Sequence, residues 1–155
     1  MFNAIWILLI IIFDQASKYI CKFYFEGAHD KVILDGFFSL TYLENRGAAF
    51  GIFQNKKFIL IGLTALIIIG LIIYLYKMKV KGFLKVALIL IIGGAIGNLI
   101  DRIFLGYVID FLHFYITDIF DWPVFNLADV SVVCGTILMA GVLLFSKDEK
   151  EMINS

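Results

Sequence analysis

Four long apolar stretches, separated by polar connections, dominate the pattern of the chain, and they predict four membrane-spanning helices. The stretches cover residues 4–23, 58–76, 83–103 and 127–145. Each is about 20 residues long, which as an α-helix reaches roughly 30 Å, the thickness of the hydrocarbon core of a bilayer.

The first connection, residues 25–57, has the pattern of a small β-sheet. β-branched and aromatic residues are frequent between residues 32 and 44, with Asp35-Gly36 as a typical hairpin turn. The segment that follows is rich in small residues, which allow a ligand to approach closely, and its Phe50 and Phe53 can enter the lipid.

The second connection, residues 104–126, is rich in aromatic side chains. We expect a turn at Asp121-Trp122-Pro123 with the tryptophan as an interfacial anchor. His113 comes three residues after Asp110, so on a helix the two side chains could share one face. Together the segments predict an all-α membrane protein with four transmembrane helices, a small extracytoplasmic β-sheet and a short interfacial helix. We expect a single domain over residues 1–155.

Composition and charge support this class and suggest an orientation. Hydrophobic residues make up 62% of the chain, against about 45–50% in soluble domains. The net charge is zero, so nothing indicates a nucleic-acid partner. Lys77, Lys79, Lys81 and Lys85 form a purely basic loop, which predicts that this loop and both chain termini are cytoplasmic. The connections at 25–57 and 104–126 then face outward.

Polar and ionisable side chains gather at the predicted outward ends of the third and fourth helices. Each ionisable group costs up to about 2.5–3.5 kcal/mol at the bilayer midplane and less near the interface, so a shared polar site is the simplest explanation. These residues are Asn98, Asp101, Arg102, Asp110, Asn126 and Asp129. Asp14 and Lys18, four residues apart in the first helix, can pair as a structural brace or form a polar wall beside the site.

The chemistry available to such a site is that of carboxylates, because the chain has no G-x-S-x-G motif and no cysteine beside a histidine. Two aspartates held close in a low-dielectric site cannot both ionise, so one keeps a proton. The ionised one can activate water while the protonated one polarises a carbonyl. Asp110 and Asp129 are the candidates, with Asp129 the more easily ionised because it lies near a helix start.

Two other interpretations of these residues are open. Asn126 followed by Asp129 is close to a capping box, which would make Asp129 purely structural. Asp110, His113 and Asp129 could alternatively hold a metal ion, although the chain has no paired-histidine spacing. Arg102 can reach lipid phosphate or hold a substrate carbonyl.

These residues fall in motifs that resemble the bacterial lipoprotein signal peptidases (signal peptidase II), intramembrane aspartic peptidases with four transmembrane helices. The resemblance covers essentially the whole chain. It rests on Asp14-Gln15-x-x-Lys18, Asn45-x-Gly47-x-Ala49-Phe50-Gly51, Gly97-Asn98-x-x-Asp101-Arg102, Val108-x-Asp110-Phe111 and Phe125-Asn126-x-Ala128-Asp129.

The resemblance implies removal of the signal peptide from prolipoproteins, just before a diacylglyceryl-modified cysteine, without a metal or other cofactor. It implies that Asp110 and Asp129 are the catalytic pair, and that further residues support or line the site. These are Asp14, Lys18, Asn45, Gly47, Asn98, Asp101, Arg102 and Asn126. The expected partners are the lipid-modified substrate, membrane lipids and a globomycin-type inhibitor, in the cytoplasmic membrane of a bacterium with the site near the outer leaflet.

Two other classes of function compete with this one. A small transporter or proton-relay protein could use the buried acids and Lys18, although the acids gather at one side and no inverted repeat is visible. A structural membrane scaffold would leave both candidate aspartates without a role in turnover.

Overall fold

The computed structural model describes residues 2–27, 29–47, 54, 56–116 and 119–145. Its helices are α1 (Phe2–Phe25), α2 (Lys57–Lys77), α3 (Gly82–Phe104) and α4 (Leu127–Phe145). Its strands are β1 (Lys31–Leu34), β2 (Phe38–Asn45), β3 (Val108–Ile116) and β4 (Phe120–Asp121). All four helices are long and apolar enough to cross a membrane, which confirms the predicted class, and the predicted stretches lie within them.

Helix α3 is the centre of the bundle. Half of its most apolar window is buried, against 17% or less in each of the other helices. Close packing of α3 against α1 depends on glycine at two points. A Cβ atom at Gly97 would lie 2.5 Å from Asp14 Oδ2, and one at Gly93 would lie 2.9 Å from Ile10. The helices can therefore approach closely enough for side chains of α1 and α3 to bond directly.

The strands form one antiparallel sheet in the order β1-β2-β3-β4. The predicted hairpin is confirmed, with Gly36 at a positive φ of 71° between β1 and β2. The sheet contacts α1 where the Cys21 thiol donates to the Thr41 carbonyl at 3.3 Å. It therefore covers the end of the bundle where α1 and α3 finish and α2 and α4 begin.

The connection at 104–126 differs from the prediction of a turn at Asp121-Trp122-Pro123. Most of it is extended: β3 pairs with β2 over Asn45↔Val108 to Phe38↔Phe114, and Phe125 pairs with Leu112. The helical placement of His113 beside Asp110 is wrong, because residues three apart in a strand lie on opposite faces. β3 has apolar residues on both faces, so its sequence lacks the alternation of apolar and polar residues that predicts a strand.

Two further expectations concern the surface of the sheet. No short interfacial helix occurs among the elements of the described residues. The expectation that Phe50 and Phe53 enter the lipid falls on residues outside those that the structure describes, as do Ala49 and Gly51 of the second motif.

Candidate active site

A cavity of about 650 Å³ lies between the end of α3, the start of α4 and the sheet. Its polar lining includes Asn45, Asn98, Arg102, Asp110 and Asp129. The segment 122–125 closes one side, because it runs antiparallel to β3 through hydrogen bonds such as Trp122 N–H to Phe114 O at 3.0 Å. The two candidate catalytic carboxylates, from a strand and from a helix start, therefore face the same cavity.

Asp129 is positioned by a reciprocal cap at the start of α4. Its backbone N–H donates to Asn126 Oδ1 at 2.9 Å, and its Oδ2 accepts from the Asn126 backbone N–H at 3.2 Å. The capping box foreseen in the sequence is thus present. The other carboxylate oxygen, Oδ1, accepts from Asn98 Nδ2 at 2.7 Å. Capping therefore does not withdraw this side chain from the cavity but fixes its orientation there.

Asp110 lies on β3 and is almost completely buried. Its two oxygens accept from Asn45 Nδ2 at 2.8 Å and from Asn126 Nδ2 at 2.6 Å. Burial, and after it the nearby Asp129, raise the pKa of Asp110 to about 7, against the hydrogen bonds from Asn45 and Asn126. Near neutral pH the carboxyl group can therefore either hold or release a proton, as an acid–base catalyst must.

Asn126 connects the two aspartates. Its side chain is fully buried. Besides capping Asp129 it donates to Asp110 Oδ1, to Asn98 Oδ1 at 3.2 Å and to the Ile109 carbonyl at 3.3 Å. A single amide thus ties the strand that carries one carboxylate to the helix that carries the other.

Beneath the cavity lies a buried charge cluster built on Lys18. Its ammonium group lies 2.8 Å from Asp14 Oδ2 and 3.0 Å from Asp101 Oδ2, with all three side chains at 2% exposure or less. The predicted Asp14–Lys18 pair is present, and Asp101 joins it. Lys18 also donates to Asn98 Oδ1 at 2.9 Å, which leaves the Asn98 amino group facing Asp129. The cluster therefore braces the helices and orients a residue of the site.

Gln15 is a member of this cluster that sequence reasoning missed. Its amide donates to Asp101 Oδ1 at 2.9 Å and to Asp14 Oδ2 at 3.2 Å. Two backbone N–H groups also donate to the carboxylates of the cluster, that of Ala128 to Asp14 at 3.0 Å and that of Ile109 to Asp101 at 3.2 Å. Its position next to Asp14 in the first motif was the available signal, but only the fold shows that it reaches across to α3.

Arg102 lines the cavity and holds the segment that follows β2. Its guanidinium donates to the Gly47 carbonyl at 3.0 Å and to the Asn98 carbonyl at 3.4 Å. Gly47 in turn donates to Asn45 Oδ1 at 3.0 Å. Arg102, on the cavity lining, thus joins Gly47 and Asn98, two of the other predicted supporting residues.

His113 does not join the cavity. Its Nε2 lies 2.6 Å from Asp121 Oδ1 and its Nδ1 lies 3.4 Å from Ser39 Oγ. A metal site formed by Asp110, His113 and Asp129 is therefore not supported, because the histidine contacts Ser39 and Asp121 instead of the cavity. No group of three or more His, Cys, Asp or Glu side chains with the geometry of a metal site is found within the described ranges.

The arrangement supports the hydrolysis of a carbonyl compound by two carboxylic groups. A pair that shares one proton can take a proton from water with one member and give one to a carbonyl oxygen with the other. Every buried polar side-chain atom of the described part of the chain has a hydrogen-bond partner, so the acids are held in place and not free to turn away.

Comparisons with known proteins agree with this chemistry. The chain is 48% identical to the lipoprotein signal peptidase of Clostridium tetani over 138 residues, 88% of each protein. It is 44% identical to the enzyme of Halothermothrix orenii over 144 residues, 93% of this chain and 94% of that one. The relative from Clostridium novyi is 44% identical over 135 residues, 86% of this chain and 91% of its own length.

Solved structures and a family model point the same way. A bacterial membrane enzyme determined by the in meso method at 2.3 Å resolution has a TM-score of 0.84 and 32% identity, covering 96% of this chain and 90% of that one. A second, at 1.9 Å, has a TM-score of 0.80 and 34% identity, covering 94% and 93%. The family model described as Signal peptidase (SPase) II matches residues 6–145. The chain therefore belongs to the signal peptidase II family.

Proposed function

We propose that this peptidase removes the signal peptide of lipid-modified prolipoproteins, just before the lipidated cysteine, with Asp110 and Asp129 as its catalytic pair. The proposal is supported by the position of both carboxylates, which line one cavity and both accept from Asn126: Asp110 from its side-chain amide and Asp129 from its backbone N–H. The relatives are named lipoprotein signal peptidases, which supports the substrate class.

The reaction needs no group beyond the two acids and water. The ionised aspartate takes a proton from a water molecule as its oxygen attacks the scissile carbonyl carbon. The protonated aspartate gives its proton to the carbonyl oxygen. When the tetrahedral intermediate collapses, the C–N bond breaks as the pair gives a proton to the leaving nitrogen. One hydroxyl group of the intermediate returns a proton to the pair, so the new carboxylic acid forms and the pair regains its starting state. The raised pKa of Asp110, about 7, supports Asp110 as the member of the pair that holds the proton.

The cavity suits an apolar peptide segment carried by a lipid. Its walls are mainly apolar, with Val108, Phe114 and Phe125 from the sheet side and Val130 and Val133 from α4. Val133 is 54% exposed, so this side of the cavity adjoins the face of α4 that contacts lipid. We infer that the acyl chains of the substrate stay in the bilayer beside α4 while the peptide enters the cavity.

The orientation in the membrane is part of the proposal. The basic loop between α2 and α3 supports a cytoplasmic position for that end of the bundle and for both termini, in the cytoplasmic membrane of a bacterium. The cavity, at the opposite end, then lies near the outer leaflet. A globomycin-type cyclic peptide is expected to bind in this cavity and compete with the substrate. Alkaline phosphatase fusions at the 35–37 turn and at the 78–81 turn test the orientation, with activity expected only from the first.

Charge-removing substitutions test the catalytic pair. Asp110→Asn and Asp129→Asn keep the shape of the side chains, and each should abolish cleavage of a purified lipidated precursor peptide. Asp35→Asn, in the exposed hairpin turn, is the matched control and should cleave normally. Near-normal turnover by either site variant would remove that residue from the pair. The alternative functions, a transporter and a scaffold, predict no cleavage by the unmodified protein.

A further inference from the structure

A second cavity lies at the other end of the bundle, away from the aspartates. It has a volume of about 550 Å³ and is formed by the start of α3 and the last turns of α4. Its walls are apolar, including Phe83, Ile137 and Phe145, while Lys81 lies at its mouth. This size is within the range of small-molecule sites, about 300–1,000 Å³. The proposed reaction uses none of these residues.

Small residues keep this groove open. Gly141 is on the wall that α4 contributes, and no atom lies within 4 Å of the position that a Cβ atom would take there. The groove extends from Phe145 to Ile137, which along a helix is about 12 Å of depth from the end of the span toward the bilayer centre. Ile137 and Phe145 are exposed, so the groove is open to lipid, and its long axis has the direction of an acyl chain.

The mouth of the groove has the charge that complements a phosphate group. Lys81 is exposed and has no acidic partner within the described part of the chain. Lys81 is also the N-cap of α3, so the first backbone N–H groups of the helix are oriented toward the mouth of the groove. The Lys81 side chain makes no capping hydrogen bond with them. Helix ends of a membrane span lie at the depth of lipid headgroups.

We infer that this groove binds one anionic phospholipid, with an acyl chain between α3 and α4 and the phosphate at Lys81. An apolar groove alone would accept the acyl chain of any lipid, but the lysine at its mouth selects a lipid with net negative charge over a zwitterionic one. A lysine near a membrane surface contributes a preference of on the order of five-fold for anionic lipid. The site is separate from the peptidase cavity and does not depend on it.

Native mass spectrometry of the full chain in detergent tests the inference with two probes at equal concentration. Phosphatidylglycerol should form a one-lipid adduct in preference to phosphatidylethanolamine. Gly141→Leu fills the groove and should remove most of this adduct. Gly70→Leu is its matched control, since Gly70 is an exposed glycine of α2 that also has no atom within 4 Å of an added Cβ. Lys81→Gln should reduce the preference on the order of five-fold, and Lys77→Gln should not.

A second measurement needs no substitution. Phosphatidylglycerol with a photoreactive acyl chain should label peptides that contain residues 81–84 and 137–145 of the unmodified protein. Equal adduct formation by Gly141→Leu and Gly70→Leu would overturn the inference. Photolabel spread evenly over all four helices, or confined to α2, would overturn it as well. The same labelling result is expected if another part of the chain fills the groove.

Discussion

Replacing Lys18 by methionine tests the buried charge cluster, because methionine is unbranched, keeps most of the length of the side chain and removes its charge. The lysine neutralises two carboxylates that are no more than 2% exposed, at 2.8 Å from Asp14 and 3.0 Å from Asp101. Removing one partner of a buried ion pair leaves an uncompensated buried charge, which costs about 3–5 kcal/mol. This is a large part of the total stability of a domain, about 5–15 kcal/mol.

Unfolding in mixed micelles with increasing dodecyl sulfate, followed by circular dichroism, measures this free energy. Lys22→Met is the matched control in the same helix, because Lys22 is 35% exposed and its partner Glu26, 3.6 Å away, is 50% exposed. It should lose about 1 kcal/mol or less. Adding Asp14→Asn to Lys18→Met should recover part of the loss, since it removes one of the two stranded charges.

A Lys18→Met variant no less stable than Lys22→Met would show that the charge of Lys18 does not stabilise the fold. A Lys18→Met protein made still less stable by Asp14→Asn would show that the cost does not come from uncompensated charge. Lys18→Met should also slow peptide cleavage, since Lys18 orients the Asn98 side chain that donates to Asp129.

Further substitutions and a labelling experiment probe the cavity itself. Asn45→Ala removes a hydrogen bond to the ionised form of Asp110, so the pKa of Asp110 should rise further and the alkaline limb of the kcat/KM profile should move to higher pH by about 1 unit. Asn126→Ala removes the cap of α4 and the donor to Asp110, and should cost about 2–4 kcal/mol of stability and most of the activity. Asn126→Ser keeps a capping oxygen, so compared with Asn126→Ala it should recover more of the stability than of the activity. Cys134 lines the cavity and is exposed, so a bound non-cleavable lipidated peptide should protect it from a maleimide, while the buried Cys21 stays unlabelled throughout.

Each of these has an outcome that contradicts it. Asn3→Ala, at the far end of α1, controls for the Asn45 substitution, and a pH limb that moves equally in both variants or falls in Asn45→Ala opposes the assignment of the proton to Asp110. Asn126→Ala with normal turnover would show that the link between the acids is not needed. Unchanged labelling of Cys134 would place the peptide outside the cavity.

The four helices and the first hairpin were predictable because their signals are local. Nineteen to twenty-four residues in each helix carry the apolar pattern directly, and Gly36 marks the turn between β1 and β2. Asn98 and Asp101 were also correctly placed on one helix face, since both reach Lys18. The capping box at Asn126 and Asp129 needed only a spacing of three residues.

What the sequence could not show depends on pairing between distant segments. β3 exists because it pairs with β2, some 65 residues earlier in the chain at Asn45 and Asp110, and its two-sided apolar pattern gives no alternation. The contacts of Gln15 with Asp101 and of Lys18 with Asn98 join residues that are 86 and 80 positions apart in the chain. The meeting of Asp110 and Asp129 in one cavity follows from the same tertiary pairing.

The proposed mechanism requires Asp110 to hold a proton beside Asp129 and to release it near neutral pH. Infrared titration of the carboxyl C=O band in the purified protein measures this directly. We expect a protonated carboxyl signal that disappears around the pKa of Asp110, about 7, and that is missing from Asp110→Asn. An identical titration in Asp110→Asn, or no protonated carboxyl group that titrates in this range, would contradict it.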